Sequence, residues 1–303
     1  MAETEIKNKV LKGLFWKILE NGGAQGIQFV IAIILARLLS PAEYGLVSII
    51  MIFITIANVV VQNGFSTALV QKKHSDDADF SSVFYFSLVI AGVMYAALYA
   101  SAPSIAGFYH NDVLVPIVRV LAVVLFPGAV ISVQTAYVSR KMEFKGLFKA
   151  TMAAVVISGA VSIFMAYRGM GVWAMVGQQI AYYLALMTTL FLTVSWKPRL
   201  VFAMGRIRSM FSFGWKLLLA ALLDTLFNNL YGLIMGKIYN EELLGAYNRG
   251  DQFPKLIVNN LGAAIQAVLL PAFSSRQGDI AQVRSMVRRA IRTSSFLVLP
   301  MLL

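Results

Sequence analysis

The 303-residue sequence contains no cysteine and only two histidines, and 13% of its residues are charged. Without cysteine the chain has no disulfide framework and no thiolate metal site. His74 and His110 lie in separate connecting segments, so no histidine-based metal site is expected. Soluble domains are about 25% charged and roughly 45–50% apolar, whereas 59% of this chain is hydrophobic and its mean hydropathy is +0.73. These proportions exclude a soluble enzyme, a disordered chain and a fibre, and predict a membrane protein.

Motifs of ATP hydrolysis and of nucleophilic catalysis are also missing. The sequence has no Walker motif, so ATP is not its evident energy source. Asp77 and Asp79, beside Asp76, form a D-x-D motif, which in a glycosyltransferase would hold a metal and a sugar nucleotide. The same residues complement the dipole of a helix that begins there, with Ser75 or Asp79 as its cap. Because no catalytic domain accompanies the motif, we interpret it as a helix start and predict no enzyme activity and no cofactor.

Long apolar runs occupy most of the chain. A helix that crosses the hydrocarbon core of a bilayer needs about 20 mostly apolar residues. The sequence predicts an all-α polytopic membrane protein with eight complete spans and a ninth that begins near Thr293. The complete spans are 14–37, 45–66, 80–102, 114–138, 148–167, 172–194, 213–236 and 244–271. Polar residues interrupt the first run, unlike a signal peptide, so we expect this span to be retained.

The net charge of +12 is distributed unevenly among the predicted loops. With the N-terminus inside, 18 Lys and Arg residues fall in the inner segments and two, Arg168 and Lys237, in the outer loops. This asymmetry is typical of cytoplasmic loops. It predicts a cytoplasmic N-terminus and no nucleic acid as partner. In the segment 284–292, Arg recurs on one face, which predicts an amphipathic surface helix on anionic membrane lipid.

An internal repeat relates the beginning of the chain to its last third. The matched pairs are Trp16-Lys17 with Trp215-Lys216, at an offset of 199, and Glu43-Tyr44-Gly45 with Leu243-Leu244-Gly245, at an offset of 200. Trp-Lys pairs also arise from anchoring at the membrane interface. Six spans return the chain to the same side, so two lobes would be related by an axis along the membrane normal, as in transporters with parallel repeats. The repeat predicts a six-helix lobe, 1–195, and the start of a second lobe, 196–303.

Polar side chains recur along the first span. On a helix of 100° per residue they fall within an arc of roughly 140°. The stripe consists of Lys17, Glu20, Asn21, Gln25 and Gln28. Because ionisable groups are costly against lipid, the stripe either lines a substrate cavity or hydrogen-bonds a neighbouring helix, with Lys17 and Glu20 paired three residues apart.

The seventh span has a polar face of its own. Asp224, Asn228 and Tyr231 recur at intervals of four and three residues, so they share one face of a helix. A lone carboxylate at mid-span is a candidate site for H⁺ or Na⁺, and the alternative is a structural Asp that hydrogen-bonds its neighbours. We take Asp224 as the ion-coupling candidate and the other two as cavity candidates.

Cations outnumber acids inside the predicted spans. Arg119 and Arg249 are the best candidates for binding an anion, because the guanidinium group suits phosphate through its bidentate geometry. Lys216 and Arg37 stand near span boundaries, where long side chains reach the interface. A cavity that contains both arginines would attract an anionic substrate.

Four motifs in order resemble those of the Wzx-type polysaccharide and O-antigen flippases, a lipopolysaccharide-biosynthesis family of the multidrug/oligosaccharidyl-lipid/polysaccharide exporter superfamily. The motifs are Leu39-Ser40-Pro41-Ala42-Glu43-Tyr44-Gly45, Gly64-Phe65-Ser66-Thr67-Ala68-Leu69-Val70-Gln71, Leu244-Gly245-Ala246-Tyr247-Asn248-Arg249 and Leu270-Pro271-Ala272-Phe273-Ser274. The resemblance implies a MATE-like bundle of two lobes, with about nine of twelve to fourteen helices present. We therefore expect an N-terminal fragment.

The resemblance also implies a function. The family flips undecaprenyl-diphosphate-linked oligosaccharides across the bacterial cytoplasmic membrane by alternating access, for O-antigen, capsule or exopolysaccharide. Expected partners are the lipid-linked oligosaccharide, membrane lipid, H⁺ or Na⁺ as coupling ion, and the polymerase and glycosyltransferases of the same pathway. A multidrug/cation antiporter and a lipid II flippase of the same superfamily are the alternatives. A membrane glycosyltransferase would need a catalytic carboxylate pair or a large outer loop, and neither is evident.

Overall fold

The computed structural model describes residues 2–71, 75–141, 143–239 and 241–250, together with 288 and 292. Every regular element in these residues is helical. The helices are α1 (Ala2–Leu38), α2 (Pro41–Gln71), α3 (Asp77–Tyr109), α4 (Leu114–Leu121), α5 (Leu125–Lys141), α6 (Phe144–Tyr167), α7 (Val172–Thr193) and α8 (Met204–Ile238). A 3-10 turn, Ala122–Val124, joins α4 to α5, and the two form one span.

Seven helical stretches in the described residues are long and apolar enough to cross a membrane. They are Phe15–Leu38, Pro41–Gln62, Asp77–Tyr109, Leu114–Lys141, Phe144–Tyr167, Val172–Thr193 and Gly214–Ile238, and they correspond to the first seven predicted spans. The eighth predicted span beyond residue 250 and the whole of the ninth lie outside the described residues. So does the basic segment 284–292, apart from Arg288 and Arg292.

Helix α2 begins at Pro41, before the predicted residue 45, because a capping box extends it. The Ser40 backbone N–H donates to Glu43 Oε2 at 2.7 Å, and the Glu43 backbone N–H donates to Ser40 Oγ at 3.3 Å. These two bonds satisfy backbone groups that the first turn of a helix leaves unpaired. Hydropathy misses such a turn because its residues are polar.

The D-x-D region is also a helix start. Asp76 is the N-cap of α3: its Oδ1 accepts the Asp79 backbone N–H at 2.9 Å, and its own backbone N–H donates to Asp79 Oδ2 at 3.3 Å. The prediction that Ser75 or Asp79 caps this helix is therefore wrong. Ser75 Oγ instead donates to the Leu69 carbonyl at 3.1 Å, and Asp79 occupies the third position of the capping box.

The chain divides into two compact units, Met1–Gly245 and Ala246–Leu303. Within the first unit, α6 packs against α1 and α7, whereas α2 packs against α5 and α8 and α3 packs against α4 and α5. Buried Ile49, Ile50, Leu114 and Leu121 belong to the core that joins α2 to α4. Of the second unit, residues 246–250, 288 and 292 are described, and all are helical. The division into lobes at residue 195 stays a prediction.

Candidate functional site

The polar stripe of α1 has two parts. Glu20 is 6% exposed and accepts from Lys17 Nζ at 2.9 Å and from Thr151 Oγ1 of α6 at 3.0 Å. Glu20 therefore ties α1 to α6 by a charge-assisted hydrogen bond inside the bundle. This arrangement matches the alternative of hydrogen bonding between helices for this end of the stripe.

The remaining residues of the stripe are less buried than Glu20. Asn21 and Gln28 are exposed and Gln25 is half-buried. Asn21 and Gln28 are two helical turns apart and share one face. An amide that no protein atom covers must meet water or further protein when it lies within the membrane. This face of α1 therefore remains a candidate cavity surface.

The three polar residues of α8 share one uncovered face. Asp224, Asn228 and Tyr231 are all exposed, and Tyr231 is 71% exposed. Helix α8 packs against α2 and α3, whereas α1 packs against α6. The two polar faces thus lie on helices that pack against different neighbours.

The two candidate arginines occupy different surroundings. The guanidinium carbon of Arg119 lies 4.2 Å from the ring centroid of Tyr99, in a cation–π contact. Arg119 Nε is buried and has no hydrogen-bond partner among the described residues. Arg249 is half-buried in the helical residues 246–250 of the second unit. Within the described residues, Arg119 therefore retains a hydrogen-bond donor that protein does not satisfy.

An amide network that the sequence reasoning missed lies inside the bundle. Gln62 Nε2 donates to Asn58 Oδ1 at 2.8 Å, and Asn58 Nδ2 donates to the Tyr183 hydroxyl at 3.4 Å. A Cβ on Gly128 would lie 2.9 Å from both amide side chains, so the glycine makes room for them. The spacing of four residues between two amides in an apolar span was the available signal. The network joins α2 to α7, beside α5.

The connection between α7 and α8 is fixed to the start of α3. Arg206 Nη1 contacts Asp76 Oδ1 and, at 3.1 Å, Asp79 Oδ1. The hydrogen bonds that Arg206 donates to the Asp76 and Asp79 carboxylates raise the pKa of its guanidinium further above its usual range. The Arg199 backbone N–H also donates to Ser81 Oγ at 3.0 Å. Sequence reasoning treated both arginines only as charges of an inner loop, because their partners lie more than a hundred residues away.

The arrangement of these helices matches a known transporter fold. The solved structure of an inward-facing conformation of a multidrug resistance MATE family transporter of the MOP superfamily superposes with a TM-score of 0.61 at 16% identity. The match covers 93% of this chain and 68% of that one. The protein is an all-α, multi-pass membrane protein with a MATE-like fold, which confirms the predicted fold class.

Residues 34–303 match the family described as polysaccharide biosynthesis protein. Because the match covers most of the chain, the chain belongs to that family, which confirms the resemblance drawn from the four motifs.

Three curated relatives agree with this assignment. The chain is 22% identical over 302 residues to the succinoglycan biosynthesis transport protein ExoT of Rhizobium meliloti, covering 100% of this chain and 61% of ExoT. It is 26% identical over 288 residues to the teichuronic acid biosynthesis protein TuaB of Bacillus subtilis, covering 92% and 58%. It is 22% identical over 287 residues to the lipopolysaccharide biosynthesis protein WzxC of Escherichia coli, covering 92% and 57%. The chain spans about three fifths of the length of these relatives.

Proposed function

We propose that the full-length protein moves undecaprenyl-diphosphate-linked oligosaccharide units from the inner to the outer leaflet of the bacterial cytoplasmic membrane, for surface polysaccharide export. The observation that carries this proposal is the family match over residues 34–303 on a MATE-like fold. Three relatives support the proposal, because their names refer to three different polymers: succinoglycan, teichuronic acid and lipopolysaccharide.

The exposed polar faces suit such a substrate. Asn21 and Gln28 on α1, with Asn228 and Tyr231 on α8, offer uncharged donors and acceptors, the groups that sugar hydroxyls require. Arg119 would add a cationic donor for the diphosphate, and Arg249 is the second candidate for the same role. The isoprenoid chain would stay in the bilayer, so the path has to enclose only the polar end of the substrate.

Orientation follows from the loop charges. The 18-to-two distribution of Lys and Arg supports a cytoplasmic position for the N-terminus and for the α7–α8 connection. The substrate would enter from that side, where the glycosyltransferases of the pathway complete it, and would leave toward a polymerase on the other side. Single-cysteine labelling in the cysteine-free chain tests this orientation directly.

The decisive experiment uses a strain deleted for the full-length gene. Mass spectrometry would quantify lipid-linked oligosaccharides, and a membrane-impermeant probe would report their leaflet. The proposal predicts complete units that accumulate in the inner leaflet. Normal intermediates with increased sensitivity to cationic compounds would contradict it and favour a multidrug/cation antiporter. Accumulated lipid II in place of oligosaccharide units would indicate a lipid II flippase.

Asp224 is the proposed coupling residue. The Asp224→Asn variant removes the only carboxylate of the span Gly214–Ile238 at an exposed position, so folding should be unaffected while export falls at least about tenfold, a loss of roughly 1.4 kcal/mol. Export would be measured in the deletion strain at matched protein levels. The control is Glu143→Gln, an exposed carboxylate between α5 and α6. Full export by the Asp224→Asn variant would exclude the coupling role.

A further inference from the structure

The two helix starts related by the 200-residue repeat contact each other. A Cβ on Gly45 would overlap the backbone carbonyl of Glu241, and a Cβ on Gly245 would overlap the backbone carbonyl of Pro41. Pro41 precedes Gly45 by four residues, and Glu241 precedes Gly245 by the same interval. Gly45 therefore contacts Glu241, and Gly245 contacts Pro41, which is the residue equivalent to Glu241 in the repeat. A two-fold axis produces this reciprocal pattern, here within one chain.

Backbone atoms make this contact unusually strict. A Cβ on Gly245 would also lie 3.0 Å from the backbone nitrogen of Gly45, so the two segments cross at the glycines themselves. Rotation of a side chain cannot relieve an overlap with a carbonyl group. By contrast, a Cβ on Gly159 would meet the side chain of Ile31, whose end is able to move. Glycine lets membrane helices approach to backbone contact, and any larger residue at positions 45 or 245 must separate them.

Polar contacts surround the crossing. Asn111, in the connection between α3 and α4, donates from Nδ2 to Glu241 Oε1 at 2.9 Å. Lys237, near the end of α8, donates to the Phe108 carbonyl and lies 4.3 Å from the Phe108 ring centroid. These residues belong to the ends and connections that the charge distribution assigns to the outer side. These contacts therefore lie beside the crossing, at the predicted outer end of the molecule.

The middle of α8 is not closed in this way. Leu223 and Phe227 are 60% and 77% exposed. The residues that follow each of them, Asp224 and Asn228, are exposed as well. Toward its outer end α8 packs tightly on α2, where Cβ atoms on Gly232 and Gly236 would lie 3.0 Å from Ile52 and 3.2 Å from Ile49.

We propose that the Gly45–Gly245 crossing is the outer closure of the transport path, and that the two glycines act as an equivalent pair that permits it to shut. The proposal rests on the proposed function, because a transporter that alternates its access needs one end sealed while the other is open. The contact joins the start of the second span to the start of the eighth, so separating these two helix starts opens the outer end. The Asn111–Glu241 hydrogen bond holds the closed arrangement from the side.

A labelling experiment tests this proposal. The 303-residue sequence has no cysteine. Once any cysteine in the remainder of the full-length protein is replaced by serine, a Tyr231→Cys reporter can be labelled from outside with a membrane-impermeant maleimide in spheroplasts. We expect slow labelling in the parent and a rate at least about fivefold higher in both Gly45→Ala and Gly245→Ala, equal to each other within about twofold. The matched control is Gly107→Ala at the same end, where an added Cβ meets no atom within 4 Å; its rate should equal that of the parent.

A second variant decides the matter if the alanine variants fail to fold. Asn111→Asp changes no volume but places a carboxylate beside that of Glu241, and the like charges should raise the labelling rate. Adding Glu241→Gln should restore the parental rate. Unchanged labelling in Asn111→Asp, or in folded glycine variants, would overturn the proposal. The labelling experiment needs no saccharide. The outer closure can therefore be confirmed even if the lipid-linked intermediates of the deletion strain are normal, so the closure and the proposed function fail separately.

Discussion

The Asp79→Ala variant should lose about 2–3 kcal/mol of stability and unfold several degrees below the parent. The Asp79 side chain is 2% exposed, accepts the Asp76 backbone N–H at 3.3 Å and accepts from Arg206 at 3.1 Å. Alanine removes half of the capping box and leaves the start of α3 with an unpaired backbone donor. Thermal unfolding of the full-length protein in detergent, followed by intrinsic fluorescence, measures the effect.

Asp77→Ala is the matched control for this variant. Asp77 pairs with Arg199 at 3.2 Å, but the two side chains are 47% and 71% exposed. Ion pairs in contact with water contribute little, typically below about 1 kcal/mol. Equal losses in the two variants would show that burial of Asp79 is not what fixes the α7–α8 connection to α3. A loss confined to Asp79→Ala would identify this attachment as a structural element.

Glu20→Ala and Gln28→Ala should separate the two parts of the α1 stripe. Loss of the Glu20 carboxylate leaves buried Thr151 without its acceptor and Lys17 without its counter-charge, so we expect about 2–3 kcal/mol of destabilisation. Gln28 is exposed, and alanine there should change stability by less than about 0.5 kcal/mol while lowering export several-fold. Unfolding and export are measured on the same preparations.

The control within this set is Thr151→Val, which removes one partner of Glu20 and keeps the Lys17 pair. It should destabilise less than Glu20→Ala does. If Glu20→Ala retained parental stability and abolished export, the stripe would be a single cavity surface, and the role of Glu20 as a tie between α1 and α6 would be wrong.

The seven spans in the described residues were predictable because membrane insertion depends on a local quantity, the apolar length of the segment. The residue at which α2 begins was not, since Ser40 and Glu43 extend that helix with a polar turn that hydropathy treats as loop. The start of α3 was predicted from its acidic residues, but its cap is Asp76 and not Ser75 or Asp79. The stripe of α1 was visible in the sequence, but its division was not. Whether Glu20 or Gln28 meets another helix depends on the position of α6.

Contacts between distant segments were the least predictable. Arg206 and Asp79 are 127 residues apart in sequence, and each has many alternative partners of opposite charge. The repeat predicts that Gly45 and Gly245 are equivalent, yet equivalence does not imply contact. Only the crossing of the two helix starts shows why both positions are glycine.

The amide network of Asn58, Gln62 and Tyr183 has a consequence for how energy reaches the protein. Side-chain amides do not titrate, and a phenol does so only near pH 10. An electric field across the membrane exerts work on charges, about 2.3 kcal/mol per elementary charge for each 100 mV, and these three groups carry none. These two hydrogen bonds are therefore insensitive to physiological changes of pH, and membrane voltage exerts no force on a net charge in them. An ion gradient that drives transport must therefore act on charged groups elsewhere in the protein.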